Sequence, residues 1–370
     1  MTNETINIFA LSKHDTNVMK GIAIIAMLCH HVYTCLPSWI EPYPIFLTTL
    51  GILGKVCVAM FLFCSGYGLA VQYEKVMALS SSLKNTLCTT IIFVIKRLVK
   101  FYSAYWFVFL IFVPITILFF NRPLSAAYGG NMNIWRGLLF DILGINGFYS
   151  YNITWWFNRL IIIFYFAFPI LYALIKKTKW ITLLICFIVM RFANKLGPIN
   201  YYSIMLWQLP FVLGIGWAIY QDKMGCLSKY LRKYSVWSTI GVIVVLILGV
   251  LQRLYNIVPI GNISHVRFDG ILTILIIMVV IVIIRKLKYT YLILTFFGKH
   301  SINIYLIHTF LNGYWTPVRK FLHTSELCRC GGGNMWILLL ICLIISIVLE
   351  YLKDKLYWNR LTKKIVVNIK

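Results

Sequence analysis

The sequence predicts an all-α protein, a polytopic bundle of about ten membrane-crossing helices with both termini in the cytoplasm. Three observations carry that expectation. Hydrophobic residues make up 61% of the 370 and charged residues only 12%, roughly half the charged share of an average soluble domain. Surface grows too slowly with mass for a soluble globule to hide so much apolar side chain, so lipid must serve as solvent for much of the chain. Apolar runs of about 20 residues, enough to cross the hydrocarbon, recur along the whole length. Lys and Arg number 35 against 10 Asp and Glu, a net charge of +25, and they gather in alternate loops, as membrane proteins hold them on the cytoplasmic side. In a soluble protein such an excess would suggest nucleic acid; here the topology accounts for it and no nucleic-acid partner is expected. Intrinsic disorder and a cytosolic enzyme on one anchor are both excluded.

The expected crossings run at roughly 20–36, 51–72, 103–120, 156–175, 180–194, 203–220, 235–252, 268–284, 298–316 and 335–352. The fifth is short and the ninth has two registers, starting near Lys288 or near Gly298. A polar stretch, 1–17, precedes the first run, which lacks a small-residue cleavage site and reads as a retained helix. A basic stretch, 353–370, closes the chain. No internal repeat and no separate soluble domain is visible, so 1–370 reads as one membrane domain.

Ionisable groups inside such spans are costly and tend to mark sites. The first span reads from Lys20 at its cytoplasmic end to His30 and His31. His31 lies eleven residues beyond Lys20, about 16 Å deeper in a helix. Adjacent side chains on a helix diverge by about 100°, so one lumen is not expected to receive both imidazoles. The plainer reading is a hydrogen-bonded packing histidine. The second span contains Ser65-Gly66-Tyr67-Gly68; small residues let helices approach closely, and Ser65 and Tyr67 are equally readable as lining a substrate. Lys96, Arg97 and Lys100 open the third span, and Lys96 and Lys100 share a helix face. They are either the ordinary topology signal or a cradle for phosphate oxygens.

The segment from Phe148 to Arg159 is dense in aromatics. It reads as an interfacial belt, or as a sugar platform in which Trp155 and Trp156 stack and Asn158 or Arg159 binds hydroxyls. Ser301, Tyr305 and His308 follow at +4 and +3, one polar stripe on a helix. If that helix enters at Gly298, His308 lies about 15 Å deep, level with His31, and the two imidazoles line one cavity. Ten cysteines are present. Cys29, Cys57, Cys64, Cys186 and Cys342 sit in apolar runs as small hydrophobes. Cys328-Arg329-Cys330 lacks the four-ligand spacing of zinc and leaves a local disulfide or two thiols open. No metal site is expected.

The order of these segments resembles the acyltransferase family 3 of integral membrane proteins. The resemblance rests on Lys20 to His31, Ser65-Gly66-Tyr67, Lys96 to Tyr102, Thr154-Trp155-Trp156-Phe157 and Gly298 to His308. It implies transfer of an acyl group, commonly acetyl from acetyl-CoA, to a hydroxyl of a surface or lipid-linked glycan or a related envelope molecule. It implies that the first-helix His is catalytic and that the basic residues serve the donor, with no permanently bound cofactor. Two departures stand out. Lys20 replaces the commoner Arg, losing the bidentate fork, and His30 leaves open which imidazole acts, the spacing favouring His31. The expected location is a cell membrane, the bacterial cytoplasmic membrane.

Acyl transfer needs a base for the hydroxyl proton and donors for the oxyanion, and histidine suits the first role at neutral pH. A transient acyl-histidine is the variant route. The rival from another class is a transporter or flippase for a polar glycan. Proton-coupled transporters carry buried Asp or Glu relays, whereas here only Asp269 and Glu350 lie near span ends. A membrane regulatory protein without catalysis is a third reading, against which His31 and His308 argue.

Overall fold

The computed structural model describes residues 7–35, 40–78, 83–129, 133–192, 199–233, 235–255, 265–325 and 332–369. It is 88% helical with no strand among the described residues. The helices run in chain order α1 (Lys13–Tyr33), α2 (Ile45–Gly54), α3 (Cys57–Met77), α4 (Leu83–Phe119), α5 (Leu124–Tyr128) and α6 (Ile134–Ile142). Then come α7 (Trp156–Thr178), α8 (Trp180–Arg191), α9 (Ile199–Tyr220), α10 (Gly225–Lys233), α11 (Ser235–Tyr255) and α12 (Asp269–Val282). The last are α13 (Lys288–Lys299), α14 (Ser301–Thr309), α15 (Thr316–Thr324), α16 (Gly333–Lys355) and α17 (Trp358–Asn368).

Among the described residues, six stretches are long and apolar enough to cross a membrane: Ile45–Met77, Thr86–Phe119, Ile153–Thr178, Ile204–Lys233, Ser235–Tyr255 and Gly333–Lys355. The apolar helix α8 is shorter, at 12 residues. Three expected crossings differ for identifiable reasons. Helix α1 is continuous, but its apolar run is bounded by Lys20, His30 and His31. Helix α12 has only 14 residues. The run 298–316 is not one helix: α13 starts at Lys288 and stops at Lys299, α14 starts at Ser301, and a π-turn, Phe310–Tyr314, follows. The Cys328-Arg329-Cys330 pair lies outside the described residues.

The chain forms two compact units. The first comprises Met1–Met27, Ile52–Leu79 and Phe168–Lys299. Lipid supplies no hydrophobic drive between helices, so close packing of small residues holds them. Helix α3 crosses α9 where Gly66 faces the Phe211 backbone and Gly214 faces that of Phe63. Helices α1 and α13 meet where Gly298 lies on the Asn17 carbonyl, a spot with no room for a Cβ. The N-terminal segment is tied down beside this crossing. Arg285 grips both Asp15 oxygens at 2.8 Å and donates to the Ile8 carbonyl at 2.6 Å. Burial pushes the Asp15 carboxyl up, but the Arg285 and Ser12 bonds outweigh it and hold the group below its usual range. Gly298→Val is expected to force α1 and α13 apart and to lower stability by about 1–3 kcal/mol or more. Thermal melting of the detergent-solubilised variant checks this; an unchanged melting temperature refutes the contact.

The second unit comprises Leu28–Gly51, Ser80–Ala167 and His300–Lys370. Helix α14 packs on α16 through buried polar groups. Lys353, 4% exposed, reaches Asn303 Oδ1 at 3.0 Å and Glu350 Oε1 at 2.7 Å. Asn303 Nδ2 donates to Ser346 and Glu350, so each member of this network is answered, as burial demands. Helix α17 rests on α4, where the Trp358 indole donates to Ser103 Oγ at 2.9 Å.

Candidate active site

Polar side chains of the second unit converge where the last turn of α1 meets α14. The two adjacent histidines of α1 take different partners, as their divergence on a helix requires. His30 Nδ1 donates to the Gly51 carbonyl at 3.0 Å. His31, half-buried, lies with its ring centroid 4.8 Å from that of His308, the planes inclined by 47°. The expectation that these two imidazoles lie close together is met in the second unit.

His308 is fully buried, and its neighbours set its tautomer. Nδ1 donates to the Tyr305 carbonyl at 2.7 Å. Nε2 faces the Thr309 hydroxyl at 3.2 Å. The Thr309 oxygen also lies 2.9 Å from that of Thr154. The imidazole is thus oriented from both of its nitrogens.

Tyr305 reaches toward the start of α7. Its hydroxyl lies 3.0 Å from the Thr154 carbonyl and 3.1 Å from Asn158 Oδ1, the two acceptors sharing its single proton. Asn158 is fully buried, and its Nδ2 has no hydrogen-bond partner among the described residues. Burying a donor in this way costs about 1–3 kcal/mol. Ser301, the other member of the stripe, is buried at the start of α14.

The loop before α7 is held from beneath. Asn152 is fully buried; its Oδ1 caps the short 3-10 turn Ile153–Trp155 at the Thr154 amide and its Nδ2 lies 3.4 Å from the Leu306 carbonyl. Asp141 accepts from Tyr128 and from the Tyr151 amide. Burial pushes its carboxyl above the usual range, opposed by those bonds. Trp155, expected to offer a face to a sugar, is a packing residue instead. It is 1% exposed, it is walled by Tyr105, Phe109 and Phe310, and its indole donates to the Leu306 carbonyl at 3.2 Å. Trp156 and Arg159 are half-buried, with Trp156 edge-on to Phe157.

The basic trio lies on α4. Lys100 is exposed, Lys96 is half-buried, and the Arg97 guanidinium sits 5.4 Å from the centre of the Tyr165 ring. None of the three pairs with a carboxylate among the described residues. The other expected residues lie in the first unit. Lys20 is half-buried on α1. Ser65 Oγ is buried without a partner among the described residues. The Tyr67 hydroxyl is committed to Leu11, accepting from its amide and donating to its carbonyl at 2.9 Å, and to Gln221. No group of three or more His, Cys, Asp or Glu comes together as a metal site among the described residues.

Sequence reasoning passed over Asn312, whose Nδ2 donates to the His31 carbonyl at 3.2 Å. Its signal was present: it follows His308 by four positions, on the same face. Thr154 and Thr309 were passed over as well, because hydroxyls in apolar helices usually bond their own backbone.

A family model described as an acyltransferase domain matches residues 14–353. No curated protein and no solved structure matches the chain.

Proposed function

The chain belongs to the acyltransferase family 3, and from that premise we propose that it moves an acyl group, preferentially acetyl, from acyl-CoA to a hydroxyl of an envelope glycan. The observation that carries the reading is the His31–His308 pair, ring centroids 4.8 Å apart; Tyr305, three residues before His308, bonds to Asn158, whose Nδ2 has no partner among the described residues. In the proposed reaction His31 takes the proton from the acceptor hydroxyl as the oxygen forms its bond to the thioester carbon. The tetrahedral intermediate puts its charge on the former carbonyl oxygen, which Asn158 Nδ2, without a partner among the described residues, stabilises in this proposal. Collapse breaks the carbon–sulfur bond, and the His31 imidazolium returns the proton to the departing CoA thiolate. His308, with its Nδ1 proton held by the Tyr305 carbonyl, keeps the His31 ring in place.

The donor's phosphates are proposed to bind Lys96, Arg97 and Lys100, cations without a carboxylate partner among the described residues and matched to phosphate oxygens. The proposed setting is a cell membrane crossed about ten times, with both termini cytoplasmic. Detergent-solubilised protein incubated with labelled acetyl-CoA tests the reading: acyl transfer or slow thioester hydrolysis supports it, and glycan transport without acylation overturns it. Neutralising the three cations of α4 is expected to raise the donor KM by about 10-fold or more and to change kcat little, because a remote contact is largely uniform binding. A cysteine-accessibility map controls for topology. Unchanged KM with unchanged topology removes the phosphate site.

A further inference from the structure

A buried polar chain leads from α16 to the backbone of His31. Helix α1 ends at Tyr33, so the His31 carbonyl is one of the acceptors that a helix leaves without an internal partner. Asn312 Nδ2 answers it at 3.2 Å. Asn312 Oδ1 in turn lies 2.9 Å from His323 Nε2, and His323 Nδ1 lies 3.1 Å from the Tyr43 hydroxyl. The Tyr43 oxygen accepts from Asn334 Nδ2, and Asn334 Oδ1 accepts from the Met335 amide at 3.0 Å.

The donors nearest His31 can run in only one direction. The His31 carbonyl can only accept, so the Asn312 amide must donate to it. Asn312 Oδ1 then needs the Nε2 proton of His323, and His323 Nδ1 faces the Tyr43 hydroxyl. Exposure is 8% for Asn312, 1% for His323, 5% for Tyr43 and 0% for Asn334. Four buried polar side chains, each answered, rigidify more than an apolar cluster of similar size. The chain also ends at a particular place. Asn312 belongs to the π-turn that follows α14 directly and stands four residues after His308. The segment that carries one imidazole therefore grips the backbone of the other.

We propose that Asn312 and His323 are positioning residues: they set the spacing of His31 from His308, with His323 acting through Asn312. The proposal rests on the acyl-transfer reading for its catalytic consequence but not for its geometry. A displacement of about 1 Å at a reacting group lowers rate by up to about 10²-fold, so the effect should fall on kcat.

The test uses the full-length protein in detergent with acetyl-CoA as the probe. In His323→Gln the amide reaches the level of Nε2 and still donates to Asn312. In His323→Asn it stays level with Nδ1 and cannot reach. The expected result is a kcat loss of about 10-fold in His323→Asn with the donor KM unchanged, and recovery to within about 3-fold of wild type in His323→Gln. Tyr43→Phe, which deletes one hydroxyl and leaves the packing, should lower kcat in the same direction by a smaller factor, so a misfolded His323→Asn does not end the test. A second readout needs no turnover: the rate at which diethyl pyrocarbonate modifies His31, followed by mass spectrometry. That rate should change in His323→Asn and stay near wild type in His323→Gln. Equal behaviour of the Asn and Gln variants in both readouts, or a kcat loss that merely tracks the melting temperature, overturns the proposal. If the wild-type protein fails to turn over acetyl-CoA, the acyl-transfer reading falls, and the modification rates alone decide the positioning claim.

Discussion

On the proposed acyl-transfer reading, His31→Ala is expected to abolish transfer from labelled acetyl-CoA, with turnover lowered at least about 10²-fold, the ordinary contribution of a general base. The protein remains folded, because the His31 side chain is half-buried and the bond that ties this turn of α1 to Asn312 uses its backbone carbonyl. The neighbouring substitutions separate roles. His30→Ala removes an imidazole that donates to the Gly51 carbonyl, so it should lower the melting temperature more than the rate. His308→Ala removes the ring packed 4.8 Å from His31 and should lower kcat by about 10-fold, the scale of a misplaced catalytic group. The measurement is initial rate at saturating donor, with size-exclusion profiles to confirm folding. Near-normal turnover in His31→Ala together with loss in His30→Ala would move the base back one residue.

Arg253→Ala is expected to destabilise the first unit strongly. Arg253 and Asp269 are 2% and 0% exposed and meet at 3.0 Å, joining α11 to α12. Deleting the guanidinium leaves a carboxylate buried among apolar helices without its hydrogen-bonded counter-charge, at a cost of about 3–5 kcal/mol. Replacing both partners by apolar residues of similar volume, Arg253→Met with Asp269→Leu, should restore most of that stability, since the desolvation of both charges is then avoided as well. Thermal melting in detergent reads both variants. A double variant no better than the single one would show that the pair acts through more than its mutual charge.

Much of the architecture was legible in the chain. The helical class, the membrane setting and the family follow from apolar runs and five short motifs in order. The crossings were less so. At 298–316 the hydropathy pattern suggested one span, yet the chain breaks at His300 and again in the π-turn, because His300 and Asn303 turn to Ser346 on α16. From its aromatic neighbours in sequence, Trp155 was readable as part of an interfacial belt or as a sugar platform. Its neighbours in space, Tyr105 and Phe310, bury it.

Composition and hydropathy by themselves determined that this chain lives in lipid as a helical bundle. Partitioning into lipid is a sum over local residues, and backbone groups in hydrocarbon must satisfy themselves within each helix. Local spacing also picked out His31 and His308 as polar groups at unusual depth. Only the tertiary structure decided that they face each other, and that Asn312, 281 positions from His31, holds that residue's carbonyl. Which helix faces meet depends on close packing between distant segments, and no local pattern of residues encodes it.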